Sequence, residues 1–499
     1  MAASYRAARW TLRPLLAGVA LPPPQADVPV AGLSLDSRRV QAGDLFFACL
    51  GRAARGHDFI PAALARGAAA VCYDAACPVS SDSPVPLVPV VDLGRRVGAL
   101  AARFYGQPSR ELNVIGITGT NGKTSCSHFL AQVLDEPGAR CAVVGTLGSG
   151  TLERLHSSRH TTPDPISLQA RLAELRAQGV QRLAMEVSSH ALDQGRVEGV
   201  AFRGAVFTNL SRDHLDYHGD MAAYALAKQR LFNLPALRYA VVNGDDRYGR
   251  TILATERPGV AAVSYGLGPA VAATVPHLRG QVQKYAPHGF ELQVEGPWGE
   301  GRVTVPLLGR FNAANVLAVI ATALAEGWTL STILERVARL RPVPGRMEVI
   351  AAAGRPLVVV DYAHTPDALE QALSSLRPHV SGRLWCVFGC GGERDRGKRP
   401  LMGGIAARLA DRVIVTDDNP RSEDPAAIAA DILAGMAPRA VPVIHARDAA
   451  IREAIGRAGA GDAVLIAGKG HEREQVLATG ATAFCDRTWA ARCLTEGCR

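Results

Sequence analysis

The sequence predicts an α/β protein of three domains: an N-terminal α/β domain, a central phosphate-loop domain on a mainly parallel sheet, and a C-terminal doubly wound, Rossmann-like domain. Length is the first ground, because 499 residues exceed what one core organises at roughly 100–200 residues per domain. The second is a glycine-rich turn between an apolar run and a helical stretch, around Gly116–Thr124. The third is a regular β-α-β-α alternation from Leu357 onward. Breaks in pattern divide the chain into residues 1–109, 110–342 and 343–499.

In the first domain, Val30–Asp36 and Leu45–Cys49 are apolar runs joined by a hairpin-like turn at Gly43-Asp44. Ile60–Gly67 reads as a helix and Ala68–Tyr73 as a strand. Pro78–Pro89, with four prolines, reads as a surface loop; a helix over Arg95–Tyr105 then ends at Gly106-Gln107-Pro108. In the second domain, Val114–Ile117 is a strand and Thr124–Leu134 a helix. Strands at Leu183–Val187, Ala205–Thr208 and Tyr239–Val242 alternate with helical stretches such as Leu168–Gln178. Phe311–Glu326 is a long apolar helix, and Arg341–Gly345, with two prolines and a glycine, is the next boundary. The third domain carries strands at Leu357–Val360, Leu384–Phe388, Val413–Thr416, Val441–Ile444 and Ala463–Ala467. Between them lie helical runs at Pro366–Leu376, Arg399–Leu409, Ala426–Met436 and Ala446–Ala458. Each of several strands ends in polar or glycine-rich sequence, so one face of the sheet collects the reactive side chains.

Composition excludes several classes. Hydrophobic residues at 48% and charged residues at 20% describe a globular chain, not a disordered one. No uninterrupted apolar run approaches the ~18–20 residues of a membrane helix, so no membrane insertion is expected. Arg6, Arg9 and Arg13 precede Leu15–Leu21, but Pro14 interrupts that stretch and no clean cleavage site follows, which argues against a signal peptide. Ten cysteines without CxxC pairs fit a reducing cytoplasm. The net charge of +9 invites anionic ligands, yet no basic helix or aromatic stacking motif points to nucleic acid.

Gly116–Thr124 (GITGTNGKT) carries the strongest chemical signal. Backbone N–H groups of such a loop cradle phosphate oxygens, Lys123 reaches the outer phosphates, and the Thr124 hydroxyl suits magnesium. Ile117 stands where the strict pattern has glycine, so the loop is a variant. Glu186 (EVSSH, 186–190) and His214 (SRDHLDYH, 211–218) lie at the ends of later strands, where carboxylate, imidazole and hydroxyl groups suit a hard cation bridging phosphates. The residues alone thus give a magnesium- and ATP-dependent enzyme with a separate C-terminal lobe.

The ordered motifs GTNGKT (119–124), EVSSH (186–190), TNLSRDH (208–214), GRFNAAN (309–315), PGRME (344–348), DYAH (361–364) and DNPR (418–421) resemble those of the Mur ligases over nearly the whole chain. The resemblance implies an ATP-dependent amide ligase in which a carboxylate attacks the γ-phosphate of ATP and an amine attacks the resulting acyl phosphate. It implies ATP contacts at Gly119, Thr120, Asn121, Gly122, Lys123, Thr124, Ser125, Asn312, Asn315, Arg346, Asp361 and His364. Thr124, Glu186, His214 and Lys228 would serve Mg2+, with Lys228 carrying a carbamate, and Lys123, Glu186, His214 and Lys228 would be catalytic. The carboxylate substrate, UDP-MurNAc-L-Ala-D-Glu, would be met by Leu35, Ser37, Arg52, Ala53 and Ala54 in the N-terminal domain. Its muramoyl dipeptide would meet Thr161, Thr162, Ser188, Gln194 and Arg196, with His160 beside them where some relatives carry asparagine. Arg394, Asp418, Asn419, Pro420, Arg421, Gly468 and Glu472 would receive meso-2,6-diaminopimelate, whose carboxylates could pair with Arg394 and Arg421, whereas L-lysine as the substrate would leave part of that basic site unpaired. A cytoplasmic monomer is expected. The alternatives are a lysine-adding relative, a folylpolyglutamate synthetase or a non-catalytic nucleotide-binding scaffold; the N-terminal motif and Arg421 argue against the first two, and intact Lys123, Glu186, His214 and Lys228 against the third.

Overall fold

The computed structural model describes residues 10–51, 55–79, 83–158, 160–255, 257–270 and 274–496. Its N-terminal lobe is a four-stranded sheet in the order Gly32–Ser34, Asp44–Ala48, Ala70–Asp74, Leu87–Val90, every pair parallel. The hairpin expected at Gly43-Asp44 is therefore absent. Ser34 and Asp36 close a tight turn into the single 3-10 turn Ser37–Arg39, capped by Asp36 onto the Arg38 N–H at 3.0 Å, and this carries the chain back to start a parallel neighbour. The proline-rich stretch is loop only in part, since Leu87–Val90 joins the sheet edge. Leu12, Leu15 and Leu16 are fully buried against the helix Leu93–Phe104 in this lobe's core.

The central lobe holds an eleven-stranded sheet. Six neighbouring strands run parallel in the order Arg140–Gly145, Val180–Glu186, Asn113–Thr118, Phe202–Phe207, Tyr239–Asn243, Ala261–Gly266. The helices Lys123–Leu134 and Arg310–Ala325 cover one face and Pro165–Ala177 the other, which is why these strands read as continuous apolar runs. His277–Ala286 pairs parallel with Ala261–Gly266, and antiparallel strands extend both edges: Gly148–Thr151 with Arg154–His156 on one side, Gly289–Gly296 with Gly299–Val305 on the other.

The C-terminal lobe is a five-stranded sheet in the order Glu348–Ile350, Leu357–Asp361, Ala463–Ala467, Leu384–Phe388, Arg412–Val415, with only the first strand antiparallel. Helices Pro366–Leu376, Lys398–Leu409 and Pro425–Ala434 pack on one face, and Arg447–Arg457 and Asp486–Glu496 on the other. The expected strand at Val441–Ile444 is reduced to one bridge, Val415 with Val443, because Pro442 offers no N–H and contributes only its carbonyl to Val415. Three helices begin with the same device, a capping residue followed by proline: Asp164-Pro165, Thr365-Pro366 and Asp424-Pro425. Among the described residues no helix is long and apolar enough to cross a membrane.

Candidate active site

Strand order creates the site. Asn113–Thr118 lies between Val180–Glu186 and Phe202–Phe207, so three adjacent strand ends deliver the loop Gly119–Gly122, Glu186 and Thr208 to one edge. Gly119 at φ +153° and Gly122 at φ +86° use backbone conformations that side chains resist, and a Cβ on Gly122 would stand 2.6 Å from Asn315 Oδ1. Asn209 and Thr208 hold the loop from outside. The Asn121 N–H donates to Asn209 Oδ1 at 2.9 Å, and Thr208 Oγ1 donates to the Asn121 carbonyl at 2.6 Å. Ser125 is buried in the first turn of the helix that follows.

Two lysines converge on one carbonyl. Lys123 Nζ donates to the Gly119 and Thr120 oxygens, each at 2.8 Å, and Lys228 Nζ donates to the same Gly119 oxygen at 2.8 Å. Lys228 is 1% exposed and lies 4.5 Å from the Tyr224 ring centroid. Burial, then the charge of Lys123, push its ammonium well below the ordinary lysine range. Burial lowers Lys123 as well, opposed by Glu186 and Asp213.

Glu186 is fully buried and accepts from Thr124 Oγ1 at 2.9 Å, the Thr146 N–H at 2.8 Å and Thr146 Oγ1 at 3.2 Å. Around it gather the residues expected to face the dipeptide. Thr161 Oγ1 is 3.0 Å from Thr146 Oγ1, and Thr162 Oγ1 donates to the Glu186 carbonyl at 2.9 Å and accepts from the Ser188 N–H at 3.1 Å. Arg196 donates to Gln194 Oε1 at 2.9 and 2.6 Å and to the Thr162 carbonyl at 3.1 Å. His160 is exposed outside this cluster. His214, at φ 53°, is 3.4 Å from Asp213 and edge-on to His190, ring centroids 4.9 Å apart; burial lowers both imidazoles, His190 to about 4.

The C-terminal lobe closes over the loop. Arg346 lies 4.4 Å from the Tyr362 ring centroid with one Nη 3.5 Å from Thr124 Oγ1. Asp361 accepts from the Met347 N–H at 2.7 Å, and burial pushes its carboxyl up to about 6 against the pull of Arg346. His364 Nδ1 lies 2.7 Å from the Tyr362 carbonyl. Asp367 bridges the lobes, accepting from Asn121 Nδ2 at 3.1 Å and Ser211 Oγ at 3.0 Å. Asn312 and Asn315 are buried behind the loop and bonded to each other at 3.1 Å, so they brace it from beneath.

At the strand ends of the C-terminal sheet stands the group of residues expected to receive the amino acid. Arg421, at φ 55°, donates to the Gly392 carbonyl at 2.6 Å, and Arg421 Nη1 and Arg394 Cγ flank Gly391. Asp418 and Pro420 are buried; among the described residues the Asp418 Oδ2 atom has no hydrogen-bond partner, and a Cβ on Gly468 would overlap it. Asn419 Nδ2 donates to Glu472 Oε2 at 2.9 Å. In the N-terminal lobe a cleft of about 500 Å³ is lined by Leu35, Ser37, Arg38, Phe47 and Phe59. Arg52, Ala53 and Ala54 lie outside the described residues. The sequence reading does not find Thr146, Asn209 as the loop's clamp, Asp367 or Lys469, although Asn209 falls within TNLSRDH and Lys469 within the polar strand end 468–472.

This phosphate loop, braced by a carboxylate strand end and roofed by a separate α/β lobe, defines a nucleotide-binding ligase fold. The chain belongs to the Mur ligase family. Its residues 29–105 match the Mur ligase family catalytic domain, 117–323 the Mur ligase middle domain, and 345–470 the Mur ligase glutamate ligase domain. It is 52% identical over 479 residues to the UDP-N-acetylmuramoyl-L-alanyl-D-glutamate–2,6-diaminopimelate ligase of Alkalilimnicola ehrlichii, covering 94% of this chain and 96% of that one. The enzyme of the same name from Ectopseudomonas mendocina is 52% identical over 460 residues, covering 92% and 93%. A solved structure of a ligase with that name superposes with a TM-score of 0.70 at 40% identity, covering 94% of this chain and 95% of the other.

Proposed function

We propose that the chain is an ATP-dependent amide ligase that joins meso-2,6-diaminopimelate to UDP-MurNAc-L-Ala-D-Glu through an acyl phosphate, releasing ADP and phosphate, as a cytoplasmic monomer. The observation that carries this reading is the gathering of the phosphate loop, Glu186 and the Thr162–Arg196 cluster at one sheet edge of the central lobe, with Arg394 and Arg421 together beside Gly391 in the C-terminal lobe. The identity to the diaminopimelate-adding relatives supports it.

The chemistry follows from charge. Carboxylate and triphosphate repel, so the protein must hold two anions together and meet negative charge as it develops. Lys123 and the loop amides would face the phosphates, and the Arg196 fork suits the dipeptide carboxylate. Magnesium fits the oxygen donors that Thr124 and Glu186 bring within 2.9 Å of each other, although no group of three or more His, Cys, Asp or Glu side chains among the described residues is arranged to hold a metal. When bound, it would neutralise phosphate charge. Lys228, as an ammonium, is the wrong partner for a cation; burial favours its neutral amine, which can take up carbon dioxide and release a proton to become an anionic carbamate. Closure of the C-terminal lobe excludes water from the acyl phosphate. The amine then attacks the acyl carbon, and phosphate leaves.

Incubation with ATP, magnesium, UDP-MurNAc-L-Ala-D-Glu and meso-2,6-diaminopimelate, read by mass spectrometry, tests the reading. The expected product is the nucleotide-linked tripeptide, formed only when ATP is present; an unchanged dipeptide substrate contradicts it.

A further inference from the structure

Two buried cations stand among the C-terminal strand-end loops that carry the proposed amino-acid site. Arg447 holds backbone: bonded twice to the fully buried Asp486 at 2.7 Å, it donates to the carbonyls of Asp417 at 3.3 Å and Ala467 at 3.0 Å, tying together the bases of the two pocket loops. Lys469 holds side chains. It is fully buried, and its three N–H bonds go to Asn419 Oδ1 at 2.9 Å, Glu472 Oε2 at 2.8 Å and the Glu474 carbonyl at 2.7 Å, which exhausts an ammonium's donors. Asn419 closes the triangle through its bond to Glu472 Oε2 and also accepts from the Val476 N–H at 2.9 Å.

One carboxylate oxygen of Glu472 thus receives two donors, while among the described residues nothing donates to the other. A Lys–Glu pair three residues apart on a surface contributes little. Here the ammonium is out of water, and satisfying all its donors fixes the Glu472 rotamer and the Asn419 amide together.

We propose that Lys469 is the positioning residue of the amino-acid pocket: without touching the substrate, it locks Glu472 and Asn419 so that the free Glu472 oxygen meets the ammonium of the incoming diamino acid. The inference rests on the reading of this pocket given above. It also explains why the carboxylate stays charged, since the Lys469 bond outweighs, with Asn419, the opposing effect of burial.

The test is steady-state kinetics of the full chain with Lys469→Met, and with Lys469→Gln as a second variant that keeps an amide NH2 donor group without the charge. KM for meso-2,6-diaminopimelate should rise tenfold or more while KM for ATP and for UDP-MurNAc-L-Ala-D-Glu changes less than twofold. The acid limb of kcat/KM for the amine should move to higher pH, because Glu472 then binds a proton more readily. Adding Glu472→Gln to Lys469→Met should cost little more than Lys469→Met alone. Equal losses for all three substrates, an unmoved acid limb, or additive effects would overturn the proposal. So would loss of ADP binding in both variants, which would make Lys469 a general core-building cation. Wild-type chain that releases no phosphate on addition of the diamino acid would instead overturn the functional reading beneath it.

Discussion

At the scale of the residue, the site is organised around charges that the fold keeps out of water. Lys228 and Lys123 share the Gly119 carbonyl, an arrangement tolerable for two cations only if one gives up its proton or its sign. Lys228→Ala should therefore lower kcat about 100- to 1000-fold, the usual cost of removing one preorganised electrostatic group, with ADP affinity little changed. Wild-type activity should fall on carbon dioxide depletion and return on re-addition, whereas the variant should be indifferent. Asp361 behaves oppositely. Its carboxyl is raised to about 6, so the folded state holds a proton that the unfolded chain loses near 4, and stability from this group declines as pH rises from 4 to 6. Asp361→Asn should flatten that decline by up to about 3 kcal/mol, followed through the difference in Tm between variant and wild type across the window.

At the scale of the element, the phosphate loop depends on glycine dihedrals. Gly122→Ala would place a methyl group at φ +86° against Asn315 and should weaken ADP binding more than tenfold by calorimetry while leaving the UDP-sugar site intact. The loop was legible because strand, glycines and lysine follow one another locally. The parallel strands of the C-terminal lobe were legible for a similar reason: each is an apolar run closed by polar residues. Register and direction were not. Leu45–Cys49 looks like the second arm of a hairpin, and only the turn at Asp36 and the following 3-10 turn make it parallel. Gly299–Val305 carries glycines among polar residues and gains strand character only from its antiparallel neighbour. Likewise Asp367 and Lys469 look like ordinary helix and loop charges in sequence; their roles arise from partners 246 and 50 residues away.

At the scale of the whole molecule, three sheets divide the labour that the chemistry requires, and their contacts decide whether it happens in one place. Asp367 links the C-terminal lobe to both Asn121 and Ser211. Asp367→Ala should lower kcat roughly tenfold, about 1.4 kcal/mol of closure lost, with little effect on KM for the UDP-linked substrate. The +9 net charge finds part of its explanation in Lys123, Arg196, Arg346, Arg394 and Arg421, all set where polyanionic metabolites would lie. The most direct measurement of the central claim is phosphate release by purified protein with ATP, magnesium and UDP-MurNAc-L-Ala-D-Glu, comparing meso-2,6-diaminopimelate, L-lysine and no amine. Release that depends on the diamino acid and is weak with lysine is the expected result, with Arg421→Ala erasing the preference; equal release with both amines, or none with either, would contradict the account.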